Sequence, residues 1–271
     1  MTSEYIHGSD ATEQARLTRM NDRLNTGTLG VLSLAPGMRV LDVGSGLGQV
    51  ARAIARSAPR SIVIGVERDD QQRRGAVELA AEAGEGDLVE FRAGDALDLP
   101  LADRERGTFD LVHSRFLLEH LPDPLAAVRA MAAAARQGGR VHLADDDHAL
   151  WHMHPACPEW DRTWAAYQRS YEVLGCDPRI GSKLPELLHR AGLEPARSGL
   201  VNFGGCRGDP LWDDLVTNMI EAAQTGRRVA VERGVICEGD YDAGLDAARA
   251  WAETPGAAIW YPVCWAEGVK A

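Results

Sequence analysis

The sequence predicts an α/β fold, a mostly parallel sheet with helices on both of its faces. Short β-rich runs alternate with longer helical patterns through the N-terminal half, as strands joined by crossover helices do. The first run ends in a glycine-rich turn, Gly44-Ser45-Gly46-Leu47-Gly48, that opens a helix. Acidic residues recur where the runs stop, at Asp42, Glu67 and Asp95, and open α/β sheets bind ligands at the carboxyl ends of their strands.

Taken in order, Met38 to Val43 (MRVLDV) is a short apolar run of the kind buried inside a parallel sheet. Gln49 to Ser57 reads as a helix and Ser61 to Val66 (SIVIGV) as the second strand. Asp70 to Ala83, rich in Ala, Glu and Arg, predicts helix. Leu88 to Arg92 is the third strand, Phe109 to His113 the fourth and Gly139 to Ala144 the fifth. The Ala-rich stretch Pro124 to Arg136 predicts a helix that stops at Gly138-Gly139. Beyond Asp147 the composition changes, since all seven tryptophans and all five cysteines lie there. Helices are expected over Pro158 to Leu174 and Leu184 to Ala191, a sixth strand over Ala196 to Gly204 and a seventh over Ala258 to Gly268. Asp209 to Glu253 shows helix-like patterns with few β-runs and reads as a helical insertion.

The net charge of −11 argues against a nucleic-acid partner, because neutralising phosphates takes a basic face and this chain has only short runs such as Arg73-Arg74. No stretch of about 18 apolar residues suggests a membrane span. The acidic N-terminus lacks the pattern of a secretory signal, so a cytoplasmic location is expected. The cysteines are scattered without a CxxC pair, as reduced thiols would be.

A glycine-rich strand-to-helix turn lets a backbone approach a ligand and aims amide groups at it. A dinucleotide fingerprint would read GxGxxG, whereas here the spacing is GxGxG after a strand ending in Asp42. Glu67 ends the second strand, where a carboxylate can accept from two ribose hydroxyls. Gly94-Asp95-Ala96 follows the third, where an aspartate can accept from an adenine amino group. Phe109-Asp110-Leu111-Val112-His113 then leads into Ser114-Arg115-Phe116-Leu117-Leu118-Glu119-His120-Leu121.

From about Gly37 to Asp147 this constellation resembles the class I S-adenosylmethionine-dependent methyltransferases, and more weakly so to the end of the chain. The run LLEHLPDPLAAVRAMAAAARQGGRV is similar to the small-molecule branch related to ubiquinone and menaquinone biosynthesis. The resemblance implies a Rossmann-like seven-stranded sheet with an antiparallel last strand. It divides the chain into an N-terminal helical cap (1–36), a cofactor-binding core (37–147) and the rest of the same domain (148–271), with the insertion at about 209–253. It implies S-adenosylmethionine as cofactor and S-adenosylhomocysteine as product. Gly44 and Gly46 would approach its methionine and ribose portions, and Asp42 would orient the loop or the amino group through water. Glu67 would hold the ribose and Arg68 would flank the adenine. Many relatives have an apolar residue at that position, but a guanidinium can stack. Asp95 would bind the adenine amino group, the Ala96 amide a ring nitrogen, and Ser114 the methionine end. In many relatives a segment before the sheet folds over the cofactor. Here Arg16 could pair with the cofactor carboxylate and Tyr5 or His7 could line the chamber, or the segment could be a surface helix cap.

Methyl transfer from a sulfonium is an in-line displacement that needs the acceptor held close and aligned. A hydroxyl acceptor needs a base, an acidic phenol or enol does not. Base candidates are Asp146 and His148 after the fifth strand and His113 at the end of the fourth. The alternative for such residues is a polar strand end that caps the next helix. Asp145, Asp147, His148 and His152 offer ligand chemistry, but the run lacks the Gly and distal Glu of a calcium loop, and no metal is expected. Trp164, Tyr167 and Tyr171 share a helix face, either as core or as the wall of a flat apolar pocket, with Trp212 and the insertion as a lid. The expected partner is a small molecule, with a homodimer left open. Two other functions share parts of the pattern: a cofactor-bound isomerase or cyclase that transfers no methyl group, and a nicotinamide-dependent oxidoreductase. The GxGxG spacing and Asp95 argue against the second.

Overall fold

The computed structural model describes residues 23–271, so Tyr5, His7 and Arg16 lie outside the described residues. The chain divides into two compact units, and it passes between them several times. One unit comprises Asn25–Asp147, Arg179–Val201 and Val263–Ala271, and the described part of the other comprises residues 23–24, His148–Pro178 and Asn202–Pro262.

The first unit is built on a seven-stranded sheet. Its strands are β1 (Arg39–Val43), β2 (Ile62–Glu67), β3 (Val89–Ala93), β4 (Phe109–Arg115), β5 (Ala135–Asp146), β7 (Glu194–Asn202) and β10 (Pro262–Val269), in the spatial order β3-β2-β1-β4-β5-β10-β7. The pairs β1–β2, β2–β3, β1–β4 and β4–β5 are parallel, and β10 runs antiparallel to β5. The order reverses at β1, where the chain leaves toward β2 on one side and β4 on the other. Such a switch point opens a crevice at the strands' carboxyl ends.

Alternation along the strands divides the core in two. Leu41, Val43, Val112, Val141 and Leu143 pack with Ala127, Val128 and Met131 of α4 (Pro124–Ala134) and with Leu184, Leu187 and Leu188 of α6 (Leu184–Arg190). Val40, Val63 and Leu111 pack instead with Val50, Ala51 and Ile54 of α2 (Gln49–Ser57) and with Leu32, just past α1 (residues 23–31). Side chains of alternate strand residues point to opposite faces, so one strand feeds both clusters. The third helix of this unit, α3 (Asp70–Glu82), starts at Asp69, whose side chain accepts from the Gln72 amide.

The second unit holds a three-stranded antiparallel sheet, ordered β6 (His152–His154), β9 (Ala258–Trp260), β8 (Gly205–Cys206). Three helices accompany it: α5 (Pro158–Val173), α7 (Trp212–Glu232) and α8 (Glu238–Trp251). The expected helical insertion is therefore two helices, α7 and α8. Both bring a glycine against α5. A Cβ on Gly226 would lie 2.7 Å from Tyr167 Cδ2, and one on Gly244 would lie 2.0 Å from Thr163 Oγ1.

Three expectations change. The single strand expected over Ala258 to Gly268 is two strands in two sheets. Tyr261 separates them, its carbonyl accepting from Phe203 N at 2.7 Å, and Pro262 has no amide with which to continue a ladder. The alanines favoured a longer fourth helix, yet α4 stops at Ala134 and β5 begins at once. The extension pairs with the chain end, Gly138 N donating to Lys270 O and Lys270 N to Gly139 O. Ser114 and Arg115, expected just past the fourth strand, lie within it opposite Leu143 and Ala144.

Candidate active site

The glycine loop follows β1. Gly44 and Gly46 have φ of +72° and +54°, a region that residues with a Cβ enter only at a cost. At Gly44 a Cβ would also lie 2.9 Å from Leu117 Cδ1, so the loop is closed from above by the segment after β4. The amides of Gly44 and Ser45 both donate to Val66 O, at 2.9 and 3.0 Å, which fastens the loop to β2. The Ser45 hydroxyl is buried with no hydrogen-bond partner among the described residues.

Glu67, at the end of β2, uses both carboxylate oxygens locally. Oε2 accepts from Gly46 N at 2.9 Å and Oε1 from Asp69 N at 2.8 Å. Past β3, the Gly94 amide donates to Glu67 O at 3.2 Å, and Asp95 Oδ1 accepts from Leu97 N at 2.9 Å. Arg68 Nη1 stands 3.6 Å from Asp95 Oδ2, and both side chains are exposed. The Ala96 side chain is buried in the core. Gly44, Gly46, Glu67, Arg68, Asp95 and Ala96 thus gather along the ends of β1, β2 and β3.

At β4 the picture is more polar than its burial suggests. His113 is fully buried, and its Nδ1 lies 2.7 Å from Asp42 Oδ1 across the β1–β4 pair. Ser114 is also fully buried, its hydroxyl without a partner among the described residues. Arg115 donates from Nη1 to Thr28 Oγ1 at 3.1 Å, and burial lowers its pKa to about 10 against the pull of Asp42 and Asp146. Phe116 takes φ +54°, unusual for a bulky side chain, and turns the chain into a 3₁₀ helix over Leu118–His120.

That turn carries an acidic residue to which the sequence reading assigned no role. Glu119 is 3% exposed, and burial pushes its pKa up to about 8. Asp145 on β5 is fully buried, and burial together with the Glu119 carboxyl holds its pKa well above the ordinary carboxylate range. Its Oδ2 accepts from Leu117 N at 3.2 Å and Leu118 N at 2.8 Å, while Oδ1 accepts from Asp146 N at 3.1 Å. A Glu119 carboxylate oxygen lies within 4.8 Å of one of Asp146. A charge inside the apolar run FLLEHL was the available signal for Glu119.

In the second unit His148 is 3% exposed and held by its backbone, its amide donating to Pro178 O and its carbonyl accepting from Trp164 Nε1, both at 3.0 Å. Trp164, Tyr167 and Tyr171 meet the imidazole at their edges, with ring centroids 5.2, 5.4 and 5.6 Å away. Trp160, Trp164 and Tyr167 stack in sequence along α5, and Tyr167 and Tyr171 share a hydroxyl hydrogen bond of 2.8 Å. The helix stripe read from spacing is thus a continuous aromatic stack beside one histidine, with Trp160, Trp164 and Tyr167 buried as core.

Comparison with known proteins points the same way. A family described as "Methyltransferase domain" matches residues 15–197. The chain is similar to the 27-O-demethylrifamycin SV methyltransferase of Amycolatopsis mediterranei, 36% identical over 141 residues, or 52% of this chain and 49% of that protein. The chain therefore spans about half the length of this curated relative. It is 26% identical to the demethylmenaquinone methyltransferase of Roseiflexus castenholzii over 247 residues, 86% of this chain and 92% of that one. Among solved structures, a geranyl diphosphate methyltransferase in complex with SAM shares the fold with a TM-score of 0.57 at 17% identity, covering 97% of this chain and 92% of that one.

Proposed function

Because the chain belongs to the methyltransferase-domain family, we propose that it transfers the methyl group of S-adenosylmethionine to a small, aromatic or apolar metabolite. The observation that carries this reading is the glycine loop with Glu67 hydrogen-bonded across it. The residues present suit the cofactor: two glycines whose backbone few other residues would adopt cheaply, a carboxylate at the end of β2 hydrogen-bonded to the loop, and buried Ser45 and Ser114 hydroxyls without partners among the described residues. Family membership weighs for methyl transfer over cyclisation or hydride transfer.

In this reading Glu67 exchanges its bond to the Gly46 amide for the ribose hydroxyls. Asp95, already paired with Arg68, turns to the adenine amino group, and the Ala96 amide meets a ring nitrogen. Gly44, Asp42 and Ser114 serve the methionine end. When bound, the cofactor supplies a methyl group on a positively charged sulfur. The chain's own task is then to hold the acceptor in line and keep water out. Where an acceptor hydroxyl must lose its proton, His148 or Asp146 takes it. One relative is named as a 27-O-demethylrifamycin SV methyltransferase, which supports a small-molecule acceptor.

Titration calorimetry with S-adenosylmethionine, S-adenosylhomocysteine and NADH tests the reading. Micromolar binding of the first two is expected, followed by S-adenosylhomocysteine formation when phenols, quinols and macrocyclic aromatics are screened. Binding of NADH alone, or of none of the three, would overturn it.

A further inference from the structure

Five side chains, one from each of five neighbouring strands, form a column across one face of the sheet: Asp42 on β1, His113 on β4, His142 on β5, Trp265 on β10 and Arg197 on β7. The His113 and His142 rings stack at 5.5 Å with 20° between their planes, and His142 and Trp265 at 5.4 Å with 14°. The Arg197 guanidinium lies over the Trp265 ring at 5.7 Å. Gly199 on β7 makes room for the indole, since a Cβ there would come within 2.9 Å of Trp265 Cζ2. Glu267, 3% exposed, anchors the far end by accepting from Arg140 and Arg197, and these two arginines also donate to the carbonyls of Leu32, Ser33 and Val31 at the end of α1.

This column is costly as mere packing. Sheets covered on both faces are lined by aliphatic residues, and a buried polar atom left unpaired costs about 1–3 kcal/mol. Both ring nitrogens of His142 and the Nε2 of His113 are buried without hydrogen-bond partners among the described residues. Burial holds the His142 pKa well below its ordinary value, so this ring is a neutral spacer. One polar contact is made: an ionised carboxylate can only accept, so His113 Nδ1–H donates to Asp42 Oδ1 at 2.7 Å. Among the described residues His113 is the one hydrogen-bond partner of that carboxylate, which sits two residues before the turn at Gly44.

We propose that His113 is a positioning residue for cofactor binding, whose Nδ1–H fixes the Asp42 carboxylate toward the cofactor's amino-acid end while the His142–Trp265–Arg197 stack keeps the imidazole from turning. The inference rests on the S-adenosylmethionine reading and goes beyond it by assigning His113 no part in proton transfer to or from the acceptor.

The test is calorimetry of the wild type, His113→Phe, His113→Asn and His113→Gln with S-adenosylmethionine, S-adenosylhomocysteine and 5′-methylthioadenosine. The last keeps adenine, ribose and sulfur but lacks the amino-acid end. His113→Phe keeps a stacking ring and loses the donor. It should raise Kd about tenfold for the first two ligands and leave methylthioadenosine within about twofold, the loss of one hydrogen bond to a charged group. His113→Asn, whose amide nitrogen falls where Nδ1 was, should recover most of the affinity. His113→Gln, whose amide reaches past that point, should not, and this pair decides the matter if the Phe variant does not fold. Equal loss for all three ligands, no loss in any variant, or Asn no better than Gln would overturn the proposal. A wild type that binds none of the three ligands overturns the function itself, and the inference falls with it.

Discussion

The Glu67 carboxylate accepts from the Gly46 and Asp69 amides with different oxygens, so before any ligand arrives it already braces the loop from β2. Replacing it by Ala removes a charged acceptor from two amides and, in the proposed function, from a ribose. S-adenosylmethionine affinity should fall by about 1–3 kcal/mol, read by titration calorimetry. Unchanged affinity would take Glu67 out of the cofactor site. Glu119 makes a prediction of opposite character. Burial raises its pKa to about 8, so the folded protein keeps a proton that the unfolded chain releases near the ordinary carboxylate value. The stability this gives is complete in acid and is lost as pH rises through about 8. Glu119→Gln keeps the neutral shape without the titration. Its melting temperature should pull ahead of the wild type's between pH 5 and pH 9, and parallel pH profiles would show that Glu119 is not held protonated.

At the scale of elements, what was legible is what local pattern carries. Gln49 to Ser57 is helix at the residues read, and each parallel strand begins and ends within two residues of expectation except β5, which starts four residues early. Asp42, Glu67 and Asp95 were legible because parallel strands deliver the residues at and just past their carboxyl ends to one edge whatever their neighbours are. The β9–β10 break was not, because it depends on Tyr261 meeting Phe203, some sixty residues earlier in the chain. Nor was the His142–Trp265 stack, which exists only once β10 has inserted beside β5. Helix packing shows the same dependence on distant partners. Ala for Gly within a helix ordinarily stabilises by about 1 kcal/mol. At Gly244 the new Cβ would fall 2.0 Å from Thr163 Oγ1 and 2.8 Å from the Glu159 carbonyl on α5, a backbone atom that cannot swing aside. Gly244→Ala should therefore destabilise by about 1–3 kcal/mol, as overpacking does. Gly239→Ala on the same helix meets nothing within 4 Å and should be neutral or stabilising, which denaturant melts of the two variants can distinguish.

For the molecule as a whole, connectivity matters more than any single contact. The family match ends at residue 197, yet β10 is inserted between β5 and β7 from the last residues of the chain. A fragment ending at Asp147 would hold every residue proposed to touch the cofactor's nucleoside but would leave β5 as an open edge from Arg140 to Asp146. Unpaired edges recruit other strands, so the fragment should self-associate more than the full chain does, as size-exclusion chromatography would report. A soluble monomeric fragment would mean that the β5 ladder is dispensable. The column from Asp42 to Arg197 is likewise an assembly of distant parts, one side chain from each of five strands. Its members are useful only together: without Trp265 the space left by Gly199 is unfilled, and without His113 the buried His142 ring loses the stack on one of its two faces. In a lineage of related sequences the five positions should be inherited or lost as a group, Gly199 disappearing with Trp265, so that the record of substitution carries the imprint of the sheet's spatial order and not of the chain's.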